Sequence, residues 1–260
     1  SNGVVSIGDY AFSGCGALTS IDIPGSVTSI GIGAFQGCSR LTSANIPNGV
    51  VSIGDYAFSG CGALTSINIP GSVTSIGSDA FSYCSGLVSI NIPDGITAIG
   101  NAVFSNCSSL TSIDIPRGVT SIGDTAFLCC RNLANVSIPD SVTSIDFAAF
   151  AGCSSLTNVS IPDSVTNIGD GAFGGCSSLV SINIPDGITS IGNIGSEIGV
   201  FEYCSSLISI RIPNTVTYIG DAAFSGRNTN LVIYGEAGSY AENYAKEKNI
   251  AFSTEPMPTV

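Results

Sequence analysis

Histidine and tryptophan are both absent from this chain of 260 residues. Without histidine there is no imidazole for a triad or a metal site, and lysine stands only at 246 and 248. Most routes to nucleophilic or general-base catalysis are thereby closed. Charge is scarce as well: 10% of residues are charged, with 7 basic against 19 acidic and a net charge of −12. Phosphate binding needs clustered Lys and Arg, so nucleic acid is excluded as a partner. An anionic membrane surface is excluded on the same ground. No run of 18 apolar residues occurs, so no helical span inserts into a membrane. The only Met is Met257, and the chain opens in mid-repeat at Ser1-Asn2-Gly3. It reads as a piece of a longer protein whose leader and anchor lie elsewhere.

What is abundant is repetition. Phe stands at 12, 35, 58, 81, 104, 127, 150 and 173, always 23 residues apart, and returns after one slip at 201 and 224. A period of this size means a solenoid, each unit burying its apolar face on its neighbours. Leu156 to Ser178, LTNVSIPDSVTNIGDGAFGGCSS, shows the unit whole. After its Leu, apolar and polar residues alternate up to a Pro, as a half-buried strand does. Pro cannot donate to a ladder and marks the strand's end. A turn such as Pro139-Asp140-Ser141 follows. A second apolar pair, such as Val165 and Ile168, predicts a short extended run on the other side of the coil. Asp9, Asp55, Asp124, Asp170 and Asp221 precede the Ala-Phe step and suit the N-cap of a single helical turn. Residues 2–31 recur almost letter for letter at 48–77, with Asp22 becoming Asn68.

Nine of ten cysteines follow the period, each three after a Phe: 15, 38, 61, 84, 107, 130, 153, 176 and 204. Side chains in one column run parallel rather than toward each other, so buried free thiols are expected instead of disulfides. Cys129 lies outside the column, at an outward position usually held by a small residue.

The pattern L-x-x-I-x-I-P-x-x-V-x-x-I-G-x-x-A-F-x-x-C resembles the BspA-like leucine-rich repeat over residues 1 to about 233. It departs from the commoner leucine-rich repeat, whose Asn eight residues after the Leu is here Ser, Gly or Thr. The expected fold is a right-handed leucine-rich-repeat solenoid of about ten 23-residue turns, residues 1–233, with a parallel β-ladder and short extended or helical turns opposite. Residues 234–253 are expected to form a C-terminal α/β cap, with a capping-box helix from Ser239 to Lys248. Residues 254–260 read as a tail or linker.

The period breaks once. Asn193 to Phe201 takes five extra residues, expected to bulge out on the non-strand side as a tolerated insertion or, less often, a specificity loop. Carboxylate chemistry of the glycosidase kind needs two carboxyls within roughly 5–9.5 Å. On the strand face only Asp22 and Asp114 are available, four turns of about 4.8 Å apart. The remaining acids suit calcium only in dense Asp-x-Asp loops, which are missing, so they read as solvated turn residues.

No catalytic, cofactor or metal residue is therefore assigned, and no cofactor is expected. The strand face carries Ser, Asn and Asp with Arg211 as its one hot-spot residue type. Candidate partner contacts are Glu197, Glu202, Tyr203, Arg211, Asn135, Asn158 and Asn183. The family resemblance implies an extracellular or cell-surface module, non-enzymatic, for adhesion or host-protein contact, with an extracellular protein or surface glycan as partner. The near-identical turns support the alternative of a passive spacer presenting another domain. A carbohydrate-active enzyme or lectin is disfavoured by the missing Trp and dispersed carboxylates. End-to-end self-association at the uncapped N-terminal end is a further expected contact.

Overall fold

The computed structural model describes residues 3–258; the opening Ser1-Asn2 and the last two residues of the 254–260 tail lie outside them. Alternation of apolar and polar residues produces very short strands, and the 23-residue period sets them in register. Ser112–Asp114, Asn135–Ser137, Asn158–Ser160, Ser181–Asn183, Ser209–Arg211, Val232–Tyr234 and Ala251–Ser253 form a seven-stranded parallel sheet. Ile113 faces Val136, and Asn135 faces Asn158. Upstream, Ser20–Asp22 pairs with Ser43–Asn45, and Ser66–Ile67 with Ser89–Ile90. A single bridge from Asn45 to Asn68 joins the two pairs.

The second apolar pair of each unit builds a second parallel ladder. Ser6–Ile7, Ser29–Ile30, Ser52–Ile53 and Ser75–Ile76 stack in chain order. Ser121–Ile122, Ser144–Ile145 and Asn167–Ile168 do the same further on. The chain is thus a parallel β-solenoid of the leucine-rich-repeat kind.

Between the ladders runs the Phe column. Successive rings lie 5.1–5.9 Å apart, inclined to one another by 3–17°. Offset stacking at this spacing adds to the area that each ring buries. From Phe35 to Phe201 the rings have no measurable exposure. The stack survives the period break: Phe173 and Phe201 sit 5.7 Å apart at 7°. The extra residues are therefore extruded from the coil, leaving Ile194 86% exposed.

The turn on the Phe side is not the helical turn expected. In the turns from Phe12 to Phe150 the N–H groups two before the Phe, at the Phe and two after it donate to carbonyls of the next turn. Phe35 donates to Ala57 at 2.8 Å, Gly33 to Asp55 at 2.8 Å and Gly37 to Ser59 at 2.7 Å. The residues between them close local turns, as Gln36 does to Gly33 at 3.0 Å. This arrangement places the residues two before and two after the Phe at positive φ. Gly fills the second of these positions at Gly14, Gly37, Gly60, Gly152, Gly175 and Gly226. The Asp residues act across turns rather than as N-caps. Asp9 Oδ1 accepts from Ile32 N–H at 2.8 Å and Asp55 Oδ1 from Ser78 N–H at 2.8 Å. With no helix there to cap, the carboxylate takes the nearest free donor, one turn downstream.

The helix Tyr240–Glu247 connects the last two strands, Val232–Tyr234 and Ala251–Ser253, with Ser239 Oγ accepting from Glu242 N–H at 3.3 Å. Glu242 Oε2 accepts from Gly238 N–H at 2.6 Å. Tyr244 lays its ring 6.1 Å from Phe224, inclined by 60°, and its hydroxyl donates to the Gly220 carbonyl at 3.3 Å. At the other end the duplicated sequence gives an internal comparison. Phe58, Leu64 and Cys61 are fully buried, whereas their copies Phe12 and Leu18 are half-buried and Cys15 is exposed. The difference is the surface that an adjoining turn covers.

Phe104→Ala should lower stability by about 3–5 kcal/mol, because neighbouring rings cannot collapse into the gap. Urea unfolding followed by circular dichroism checks this; a loss under about 1 kcal/mol would show that the ring carries little of the core.

Candidate functional site

Thiols are the most numerous nucleophiles, and the fold disarms them. Each core cysteine donates its S–H to the carbonyl of the preceding turn's Phe: Cys61 to Phe35 at 3.3 Å, Cys107 to Phe81 at 3.2 Å, Cys204 to Phe173 at 3.1 Å. All ten cysteines are free. Burial pushes the thiols of Cys84 and Cys130 up to about 12, with a smaller opposing effect from backbone hydrogen bonding. The thiolate is the nucleophile, so these groups are inert at neutral pH. Cys15 is exposed and Cys129 half-buried, at φ 57° where most other turns have Gly.

The carboxylates are dispersed along the turns. Among the described residues no three His, Cys, Asp or Glu side chains converge on one point. Burial raises the pKa of Asp79 and of Asp146; a Ser hydroxyl opposes it in each case, and a neighbouring Asp adds to it.

The predicted contact residues fall into two groups. Asn135, Asn158, Asn183 and Arg211 lie on the long strand ladder, with the three Asn exposed. Asn135 and Asn158 are neighbours in register. Asn183 sits beside Arg211, whose guanidinium is occupied by the preceding turn. It donates to Asp186 at 3.0 Å, to the Ile184 carbonyl at 3.3 Å and to Asn183 at 3.4 Å. Arg211 thus holds two turns together before it can serve a partner. Ser209, on the same strand, is 2% exposed with its hydroxyl unpartnered.

Glu197, Glu202 and Tyr203 lie on the turn side. Glu202 accepts from Gly199 N–H at 3.4 Å and braces the root of the insertion. Glu197 is exposed on the insertion, where it borders an open cleft with Tyr218 and Asp221. Tyr203 is 64% exposed.

The turn edge also holds surface that the repeat pattern had hidden. Tyr10, Ile32, Tyr56, Tyr83 and Phe147 are exposed there, beside Tyr203 and the insertion's Ile194 and Ile198. Within the strands from residue 20 to 211 no outward position carries an exposed large apolar side chain, although Val88 and Ile208, each directly before a strand, are exposed. The signal was present in the column three before each Phe: Asp9, Ile32, Asp55, Ser78, Asn101, Asp124, Phe147, Asp170, Ile198 and Asp221. Ile32, Phe147 and Ile198 are its apolar exceptions.

No helix among the described residues is long and apolar enough to cross a membrane. The chain matches the BspA type leucine rich repeat region, in six copies, over residues 5–134, 76–197 and 120–252. No curated protein matches it significantly. Among solved structures, a leucine rich cell surface protein from Faecalibacterium prausnitzii is 30% identical. That match covers 84% of this chain and 69% of the other, with a TM-score of 0.61. The T. pallidum leucine rich repeat protein is 33% identical, covering 67% of this chain and 82% of its own, with a TM-score of 0.62. The pneumococcal vaccine antigen PcpA shares the fold at 20% identity and a TM-score of 0.60, covering 98% of this chain and 72% of its own.

Native alkylation with iodoacetamide should modify Cys15 and Cys129 alone, and all ten cysteines after denaturation. Mass spectrometry reads the count; rapid native labelling at Cys107 or Cys153 would show that the thiol column is not closed.

Proposed function

We propose that this chain, which belongs to the BspA-type leucine-rich repeat family, is a non-enzymatic extracellular or cell-surface module that binds other proteins. Adhesion and host-protein contact are the uses that the family resemblance implies. One observation carries the reading: eight of the ten thiols are buried in the core while aromatic and branched apolar side chains stand exposed along the turn edge. Tyr and other large side chains are what protein hot spots are made of. The similar Faecalibacterium protein is described as a cell surface protein, which supports the location. A surface glycan is the second class of partner for the module.

The passive-spacer alternative keeps one specific observation in its favour. Residues 2–31 and 48–77 are nearly identical, so two stretches of the solenoid differ in little that a partner could read.

The purified chain should bind at least one member of a panel of extracellular matrix proteins and cell-wall glycans. A variant with Glu202, Tyr203 and Arg211 replaced by Ser maps the contact at the irregular end. Binding that falls in the variant places the contact there. Absence of binding by the parent chain across the panel would favour the spacer.

A further inference from the structure

The column three before each Phe normally serves the solenoid itself. Its Asp accepts a backbone N–H from the next turn, as Asp124 Oδ1 does from Phe147 at 3.0 Å. Phe147 cannot do this for its own successor. Its ring is 43% exposed at a position where the repeat has no structural need of an aromatic group. Asp124 and Asp170 hold the same position on either side of it, one turn away each. Neither pairs with a cation among the described residues.

The insertion extends the apolar surface. Gly171 lies between Ala148 and the insertion: a side-chain carbon placed on it would meet Ile198 Cγ2 at 3.0 Å and Ala148 Cβ at 3.8 Å. Ala148 and Gly171 are thus a low floor, with Phe147 at one end and Ile198 at the other. Ile198 is 41% exposed and Ile194 beside it 86%. Exposed Glu197 lies on the insertion's other side, on the cleft with Tyr218 and Asp221. The insertion also removes structure to make this floor. Gly171, in the turn before it, lacks the forward N–H bond that Ala148 makes to Asp170 at 2.9 Å.

We propose that the Phe147–Ile198 patch is a docking site for a basic protein segment that buries an aromatic or branched aliphatic side chain between flanking Lys or Arg residues. The inference rests on reading the chain as a binding module and names where and what it binds. Charge complementarity selects the occupant. An apolar anchor alone would fit many partners, but the carboxylates of Asp124 and Asp170 on either side of it repel an acidic one and steer a basic one. The chain contains its own example of the pairing. One turn beyond the insertion, Asp221 holds the same column, and Lys248 of the C-terminal helix meets it at a salt-bridge distance of 2.6 Å. The same lysine lies 5.8 Å from the centre of the Tyr244 ring. A cation beside an apolar ring, set on a column Asp, is the contact proposed at Phe147.

The repeat supplies variants that remove the patch without harming the fold. Phe147→Asp restores the column's own residue. Deleting residues 194–198 joins Asn193 to Gly199 and gives Ile-Gly-Asn-Gly-Val-Phe, matching Ile99 to Phe104 at all but one position. Phe147→Ser serves as a second point variant if the Asp variant loses its folded circular dichroism. Short linear peptides displayed on phage are panned on the immobilised parent chain, then resynthesised and titrated by fluorescence anisotropy.

The recovered peptides should be net positive with at least one aromatic or branched aliphatic residue, and should bind more weakly as salt rises. Their affinity should fall by about tenfold or more in the Phe147 variant and in the deletion, about the loss of one hot-spot contact. Ile32→Asp, in the same column five turns away, should change it by less than about twofold by comparison. Peptides that bind both patch variants as well as the parent would overturn this site yet leave the binding-module reading standing. Loss with Ile32→Asp in place of Phe147→Asp would likewise overturn it. Recovery of no peptide, or only of acidic ones, would also overturn it, and no peptide together with a silent matrix panel would take the module reading down as well.

Discussion

The contact between one turn and the next is the constraint on which everything else here depends. A single 23-residue unit has strands of two or three residues and cannot stand alone. Stacked, it gains two parallel ladders, a ring-on-ring Phe column, a thiol-to-carbonyl hydrogen bond and three further backbone bonds on the turn side. Each of these joins residues 22, 23 or 26 apart in most of the chain. Their common dependence on the period explains why Leu, Phe and Cys recur so strictly while surface positions drift.

That constraint also partitions the chemistry. Cysteine can be abundant because each thiol is a small apolar filler with one hydrogen bond, held far from ionisation by burial. Carboxylates are placed to satisfy backbone donors one turn on, not to face each other. Nothing in such a column favours convergence of reactive groups, whereas a long surface with rare exceptions favours contact. The proposed contacts are therefore sought where the period is broken or a column residue is replaced.

The fold was largely legible in the sequence because its columns are periodic and each has a physical reason. Pro after the strand, Phe and Cys inward, and the extruded residues after Asn193 all follow from the spacing. The turn-side backbone was not legible: Tyr10, Tyr56, Thr125 and Cys129 adopt positive φ without being Gly. Side-chain type alone gives no sign that their N–H groups turn toward the next coil. The Asp column was misread as helix caps for the same reason, since its partners lie 23 residues away. Arg211 was singled out as an anchor, but its acceptor Asp186 is 25 residues back and off the simple period. Phe147 and Ile32 stood in plain view, yet an apolar residue in a solenoid reads as core until its column is seen to point outward.

Hydrogen–deuterium exchange, resolved to individual amides, tests most directly whether stacking between turns governs the whole molecule. The turn-side N–H groups of Phe58, Gly60, Phe104 and Phe127 should exchange as slowly as those of the strand ladder, since each donates to the next turn at 2.8–2.9 Å. Exchange of these groups at the rate of an open loop, with only the strands protected, would contradict the account.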